Sequence, residues 1–195
     1  WVYRMVRLLA RYILVYDKYF ETGNNRYAIL ARKVRKSINK VLANEIDRNH
    51  LNYSIDCSIK QFWPFWKFEQ ILKSRIIEGN TFSYNEIRNF NLFKSSDASL
   101  IYARVLDAKL PSFSENVSLV LHYNQALLDL MDDWEDIEED IKEDMPNAFV
   151  MAAIENVPYK IIKKYNVTKL RNAILNSLES SKSPIIRLVD EYYAS

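Results

Sequence analysis

The sequence predicts an all-α fold, a single-domain helical bundle over residues 1–195. Three observations carry this. Large apolar residues recur every three to four positions along most of the chain, and no stretch alternates apolar and polar as a half-buried strand does. Glycine is confined to Gly23 and Gly79, and there are five prolines, so the material for the tight turns of a β protein is scarce. Stop signals at Thr22-Gly23-Asn24-Asn25 and Pro111 and caps at Ser83, Ser96 and Ser114 separate most of the periodic segments.

The elements follow in order. Residues 2 to 20 repeat Val2, Val6, Leu9, Ile13, Tyr16 and Phe20, and Thr22-Gly23-Asn24-Asn25 stops this helix. A second helix is expected from about Arg26 to Asp47, with Ile29, Leu30, Val34, Ile38, Val41 and Leu42 on one side and Arg32, Lys33, Arg35, Lys36 and Lys40 on the other. A third is expected from near Ser54 to Glu78, kinked at Pro64. Ser83 and Glu86 form a capping box that opens a short helix, and Ser96 is placed to cap the next. After a break at Pro111, Ser114 caps a long helix to about Ile141, with Leu119, Leu127, Leu130, Trp134 and Ile137 as its apolar side. The turn Met145-Pro146-Asn147 ends it, and shorter helices follow, punctuated by Pro158 and Pro184.

The composition excludes several functions. Two glycines cannot supply a glycine-rich phosphate loop. No apolar run reaches the roughly 18 residues of a membrane span. The lone Cys57 cannot form an internal disulfide, which suits a reducing compartment, and the expected location is cytoplasmic. The chain begins at Trp1, not Met, which leaves room for a preceding segment.

The net charge of +2 conceals a segregation. Residues 129–144 hold ten acids and one lysine, whereas the first forty residues hold ten basic side chains against Asp17 and Glu21. An acidic block inside a basic chain suits bound cations with a surround suited to an anion. Within the block, Asp129, Asp132, Asp136 and Asp140 recur at spacings of three, four and four, which places them on one face of a helix. Like charges so spaced repel by a few tenths of a kcal/mol per pair unless water or cations neutralise them. Magnesium accepts hard oxygen ligands and keeps part of its water shell, so such a row suits it. The alternative is an ordinary solvated acidic face.

The segment from Gln125 to Asp140 resembles the second aspartate-rich motif of the class I isoprenoid synthases, the trans-prenyl diphosphate and squalene-phytoene synthases. Gln125, Asp129, Asp132 and Asp136 fall at the family's offsets, while Leu128 and Asn124 depart from it. Phe93-Lys94-Ser95-Ser96-Asp97, with Lys94 lying 31 residues before Gln125, is similar to the family's lysine-bearing segment. The resemblance covers about residues 90–150. It implies the isoprenoid synthase fold, in which the helices that usually precede the first motif would be lacking if Asp17 belongs to that motif. It also implies a Mg2+-dependent enzyme acting on a prenyl diphosphate, by transfer or condensation. Asp129, Asp132 and Asp136 would hold metal, and Lys94 and Gln125 would bind the diphosphate.

The family needs a second carboxylate cluster, and this chain has no Asp-Asp-x-x-Asp. The nearest candidate is Asp17 with Glu21, one helical turn apart, with Glu45 and Asp47 as a second choice. Phe62 and Trp66, in an aromatic run that includes Trp63 and Phe65, are candidates for lining a prenyl cavity, against ordinary core packing. His50 and His122 have no partner at metal-ligand spacing and read as structural.

The expected partner is a small-molecule prenyl diphosphate, with peripheral membrane association, a homodimer or hetero-oligomer, and no nucleic acid. The main alternative is a non-catalytic, isoprenoid-synthase-like helical subunit or binding module. A third reading has the basic first forty residues bind nucleic acid or an anionic membrane.

Overall fold

The computed structural model describes residues 2–45, 48–107, 115–178 and 183–194. Every regular element among them is an α-helix: α1 (Val2–Thr22), α2 (Asn25–Leu42), α3 (Arg48–Glu78), α4 (Tyr84–Asp107), α5 (Glu115–Glu135), α6 (Ile137–Glu143), α7 (Ala148–Ala153), α8 (Tyr159–Ile162), α9 (Val167–Leu178) and α10 (Pro184–Ala194). They form two compact units. One comprises residues 1–66 and 96–122, the other residues 67–95 and 123–195. The chain passes between units inside α3, α4 and α5, so neither unit is a continuous stretch of sequence.

The first unit is built on an α1–α2 hairpin. Gly23 takes a positive φ of 62°, and the Asn24 side chain caps α2 by accepting from Arg26 N–H. Met5, Leu9, Tyr12 and Val15 of α1 bury against a core that includes Ala31, Val34, Ile38 and Leu42 of α2 and Leu51 and Ile55 of α3. Each fully buried side chain of this size contributes roughly 1.5–3 kcal/mol. Arg35, half-buried, donates to Asp56 Oδ1 at 2.7 Å and ties α2 to α3.

The second unit packs Leu72, Ile76, Ile87, Phe90, Leu130, Ile137, Met151, Ile174 and Leu188 into its interior. The capping box at Ser83 is formed: Ser83 N–H donates to Glu86 Oε2 at 2.8 Å and Glu86 N–H donates to Ser83 Oγ at 3.3 Å. Arg75 pairs with the same glutamate, which with the Ser83 bonds holds that carboxyl down at about 2.

Several expected boundaries move. α2 ends at Leu42, before Asp47, which lies outside the described residues. α3 begins at Arg48, six residues before Ser54, and runs through Pro64. α4 is continuous through Ser96, and Ser95 Oγ lies 2.7 Å from the Asn91 carbonyl one turn back. Pro111 and Ser114 lie outside the described residues. The long acidic helix is interrupted at Asp136 (φ −89°, ψ 5°), between α5 and α6. Arg171 sits at the stop. Its guanidinium lies over the Trp134 ring, and Nη2 donates to the Trp134 and Glu135 carbonyls at 3.4 and 3.5 Å, serving carbonyls that the interrupted helix leaves free. α6 then ends on Asp144 in the left-handed region (φ 59°), whose carboxylate takes bonds from Tyr159 and Lys163.

Candidate functional site

The second unit contains a polar cluster where α4, α5, α6 and the start of α7 meet. It is positioned by ordinary helical spacing. Ala126, Asp129, Asp133, Ile137 and Ile141 follow each other by three or four residues and are all buried, as is Leu130 beside Asp129, so two carboxylates fall within an otherwise apolar stripe. Burying a carboxylate costs several kcal/mol unless charge and hydrogen bonds repay it. Here they do. Asp133, 1% exposed, accepts from Lys94 Nζ at 2.6 Å on Oδ1 and from Ala148 N–H at 2.8 Å on Oδ2. Asp129 accepts from Gln125 Nε2 at 2.9 Å on Oδ1, and Ser95 Oγ lies 2.5 Å from Oδ2.

Asn147 closes the far side of the cluster. Its Nδ2 donates to the Asp133 carbonyl at 2.5 Å and to Asp140 Oδ2 at 2.8 Å, while its Oδ1 caps α7 by accepting from Phe149 N–H. At the other end, Asn91 donates to the Ala126 carbonyl at 3.2 Å and accepts from Tyr192 OH at 2.8 Å, bringing in α10.

The electrostatics follow from this crowding. Burial opposes the Lys94 charge, but Asp133, backed by Asp129 and Asp140, outweighs it and holds the ammonium above its ordinary pKa. Burial raises the Asp133 carboxyl, opposed by Lys94 and the Ala148 N–H. Burial, with the neighbouring Asp133 and Asp136 charges, pushes Asp140 up to about 6 against the pull of Asn147 and Lys94.

The expected site residues divide. Lys94, Gln125 and Asp129 belong to one hydrogen-bonded cluster with Asp133 and Ser95. Asp132 and Asp136 do not join them; both are exposed, because the helix turns them away from the buried stripe. The row of four is therefore two buried or half-buried carboxylates and two solvent-facing ones. Asp17 and Glu21 belong to the first unit, where Glu21 is exposed and pairs with Lys18 at 2.7 Å. Trp66 also belongs to the first unit, stacked on Trp63 with ring centroids 5.2 Å apart; the Phe62 side chain lies outside the described residues. Asp133, Ser95, Asn91 and Asn147 were missed. The signal for Asp133 was its place in register with Ala126, Leu130 and Ile137. Asn147 gave only the weak signal of a cap residue after Pro146.

Magnesium can be tested against these donors. Among the described residues no group of three or more His, Cys, Asp or Glu side chains is arranged to hold a metal. Both oxygens of Asp129 and of Asp133 are already engaged. Of the expected ligands in this unit, Asp132 and Asp136 are exposed and lie four residues apart. Magnesium is commonly held by one or two carboxylates, with water and phosphate oxygens completing its shell.

α5 also borders an apolar groove of about 320 Å³, lined by Leu127, Leu130, Met131 and Trp134 from α5, Phe149 from α7 and Val189 from α10. Leu119, expected on the packed side of this helix, is instead 48% exposed.

No family model, curated protein or solved structure matches the chain in the comparisons with known proteins.

Proposed function

We propose that this chain is an enzyme of the class I isoprenoid-synthase type, acting on a prenyl diphosphate with Mg2+. The observation that supports the reading most is the meeting of Lys94 with the aspartate helix. Two segments that resemble the same family, 39 residues apart, contribute to one cluster through the 2.6 Å Lys94–Asp133 pair. Lys94 would be the cation that meets a diphosphate, and Gln125 and Ser95 bond Asp129 in the same cluster. Asp132 and Asp136 would hold the hydrated metal, whose charge would stabilise a departing diphosphate. The groove on α5 falls at the small end of the volume range of ligand pockets, roughly 300 Å³ upward, and its lining suits an isoprenoid chain.

A second reading has its own support. The carboxylates of Asp129, Asp133 and Asp140 all have internal donors, which is the condition of a structural polar core. On this reading the chain is a non-catalytic helical subunit or binding module.

One experiment separates them. A ligand that binds only the native state raises the melting temperature by mass action. Thermal-shift titrations with MgCl2, pyrophosphate and both together should show a shift with both present that exceeds either alone, and Asp132→Ala should remove it while leaving the unliganded melting temperature in place. No shift with both, or a shift that Asp132→Ala leaves intact, favours the module.

A further inference from the structure

The α1–α2 hairpin carries its cations in two ordered rows. On α1, Arg4, Arg7, Arg11, Leu14 and Lys18 follow one another by three, four, three and four residues, and all are exposed. On α2, Arg26, Ile29, Lys33, Lys36 and Lys40 repeat the same spacing, again all exposed. Each row therefore has four positive charges and one large aliphatic side chain along the solvent side of its helix. The aliphatic members are substantially open, Leu14 at 59% and Ile29 at 53%, and Tyr3, at 74%, lies beside Arg7. The hairpin's two acids, Asp17 and Glu21, sit at the turn end of α1, leaving the rest of both rows uniformly positive.

We infer that this hairpin is a docking surface for an anionic lipid membrane. Charge complementarity names an anionic partner, and the interleaved aliphatic residues choose among such partners. A nucleic acid offers phosphates but no apolar phase for Leu14 and Ile29. A bilayer bearing anionic headgroups offers both, the headgroup charge for the cations and the acyl boundary for the aliphatic tips. No helix among the described residues is long and apolar enough to cross a membrane, so the contact is one of surface association. The inference is independent of the prenyl diphosphate reading.

The test is vesicle flotation of the full chain, with phosphatidylcholine vesicles and with vesicles containing about 30% phosphatidylserine. Two variants accompany it: Arg4→Glu/Arg11→Glu/Lys33→Glu/Lys36→Glu, and Leu14→Ser/Ile29→Ser, each checked for native helicity by circular dichroism. The expected result is binding to anionic vesicles only, weakening as salt rises from about 0.05 to 0.3 M. Each basic residue near an anionic leaflet is worth roughly fivefold in affinity, so the charge reversal should cost more than tenfold. The aliphatic variant should cost several-fold at unchanged charge. Three outcomes overturn the inference: no binding to anionic vesicles at low salt, binding that survives the charge reversal, or tighter binding to a short RNA duplex that ignores the aliphatic variant.

Discussion

The acidic helix and the basic hairpin use the same spacing for opposite ends. In α1 and α2 the charges recurring by three and four all fall on the solvent side, and the apolar residues between them build the core. In α5 and α6 the acids are so dense that they occupy several faces at once. Asp132 and Asp136 stay in water, while Asp129 and Asp133 enter the buried stripe and need Lys94, Ser95, Gln125 and the Ala148 N–H to remain there. Helical spacing says which charges share a face. The neighbours packed on that face decide whether the charge is a solvated one or part of the interior.

The sharpest way to break this contrast is Asp133→Ala. It leaves the Lys94 ammonium without its main partner and a backbone N–H without an acceptor, so a loss of about 3–5 kcal/mol is expected in urea unfolding, against less than about 0.5 kcal/mol for the adjacent, exposed Asp132→Ala. Equal effects at the two positions would dissolve the distinction between buried and solvated acids. Asn147→Ala comes next, at about 2 kcal/mol, because one side chain caps α7 and also serves Asp140 and the Asp133 carbonyl. A mild effect would mean that water replaces it.

Asp140 sharpens the contrast through pH. Its folded pKa of about 6 exceeds the usual carboxylate value, so the folded state keeps this proton longer than the unfolded chain does. Its contribution to stability therefore declines as pH rises from about 4 to about 6 and stays lost above that. Asp140→Asn removes the penalty while keeping an acceptor for Asn147. It should stabilise the protein by about 1 kcal/mol at pH 7.5, a discounted figure for a half-solvated group, and by nothing near pH 4. Thermal melts at both pH values check this; a gain of the same size at both would place its origin elsewhere. The smallest effect belongs to the hairpin: Lys18→Ala, which removes an exposed pair with Glu21, should change stability by about 0.3 kcal/mol and by less at high salt.

Much of the helix pattern was legible in the sequence because its causes are local. The stop at Gly23 and Asn24 and the capping box at Ser83 and Glu86 depend on residues within one turn of each other. The continuity of α4 through Ser96 and the interruption at Asp136 were not legible. At the first, Ser95 Oγ lies within reach of both the Asn91 carbonyl and Asp129 Oδ2; at the second, Arg171, 35 residues further along the chain, meets the Trp134 and Glu135 carbonyls.

The sequence by itself determined that this chain is helical, which residues share each helix face, and that its acids and bases are segregated, since all three follow from a 3.6-residue period and composition. Only the tertiary structure decided that Lys94 meets Asp133, that Asp129 is interior and Asp132 is not, and that Asn147 joins three elements. The reason is physical. A charge's cost and its partners depend on the dielectric and donors brought to it by segments far away in sequence, and neither is encoded in its local spacing.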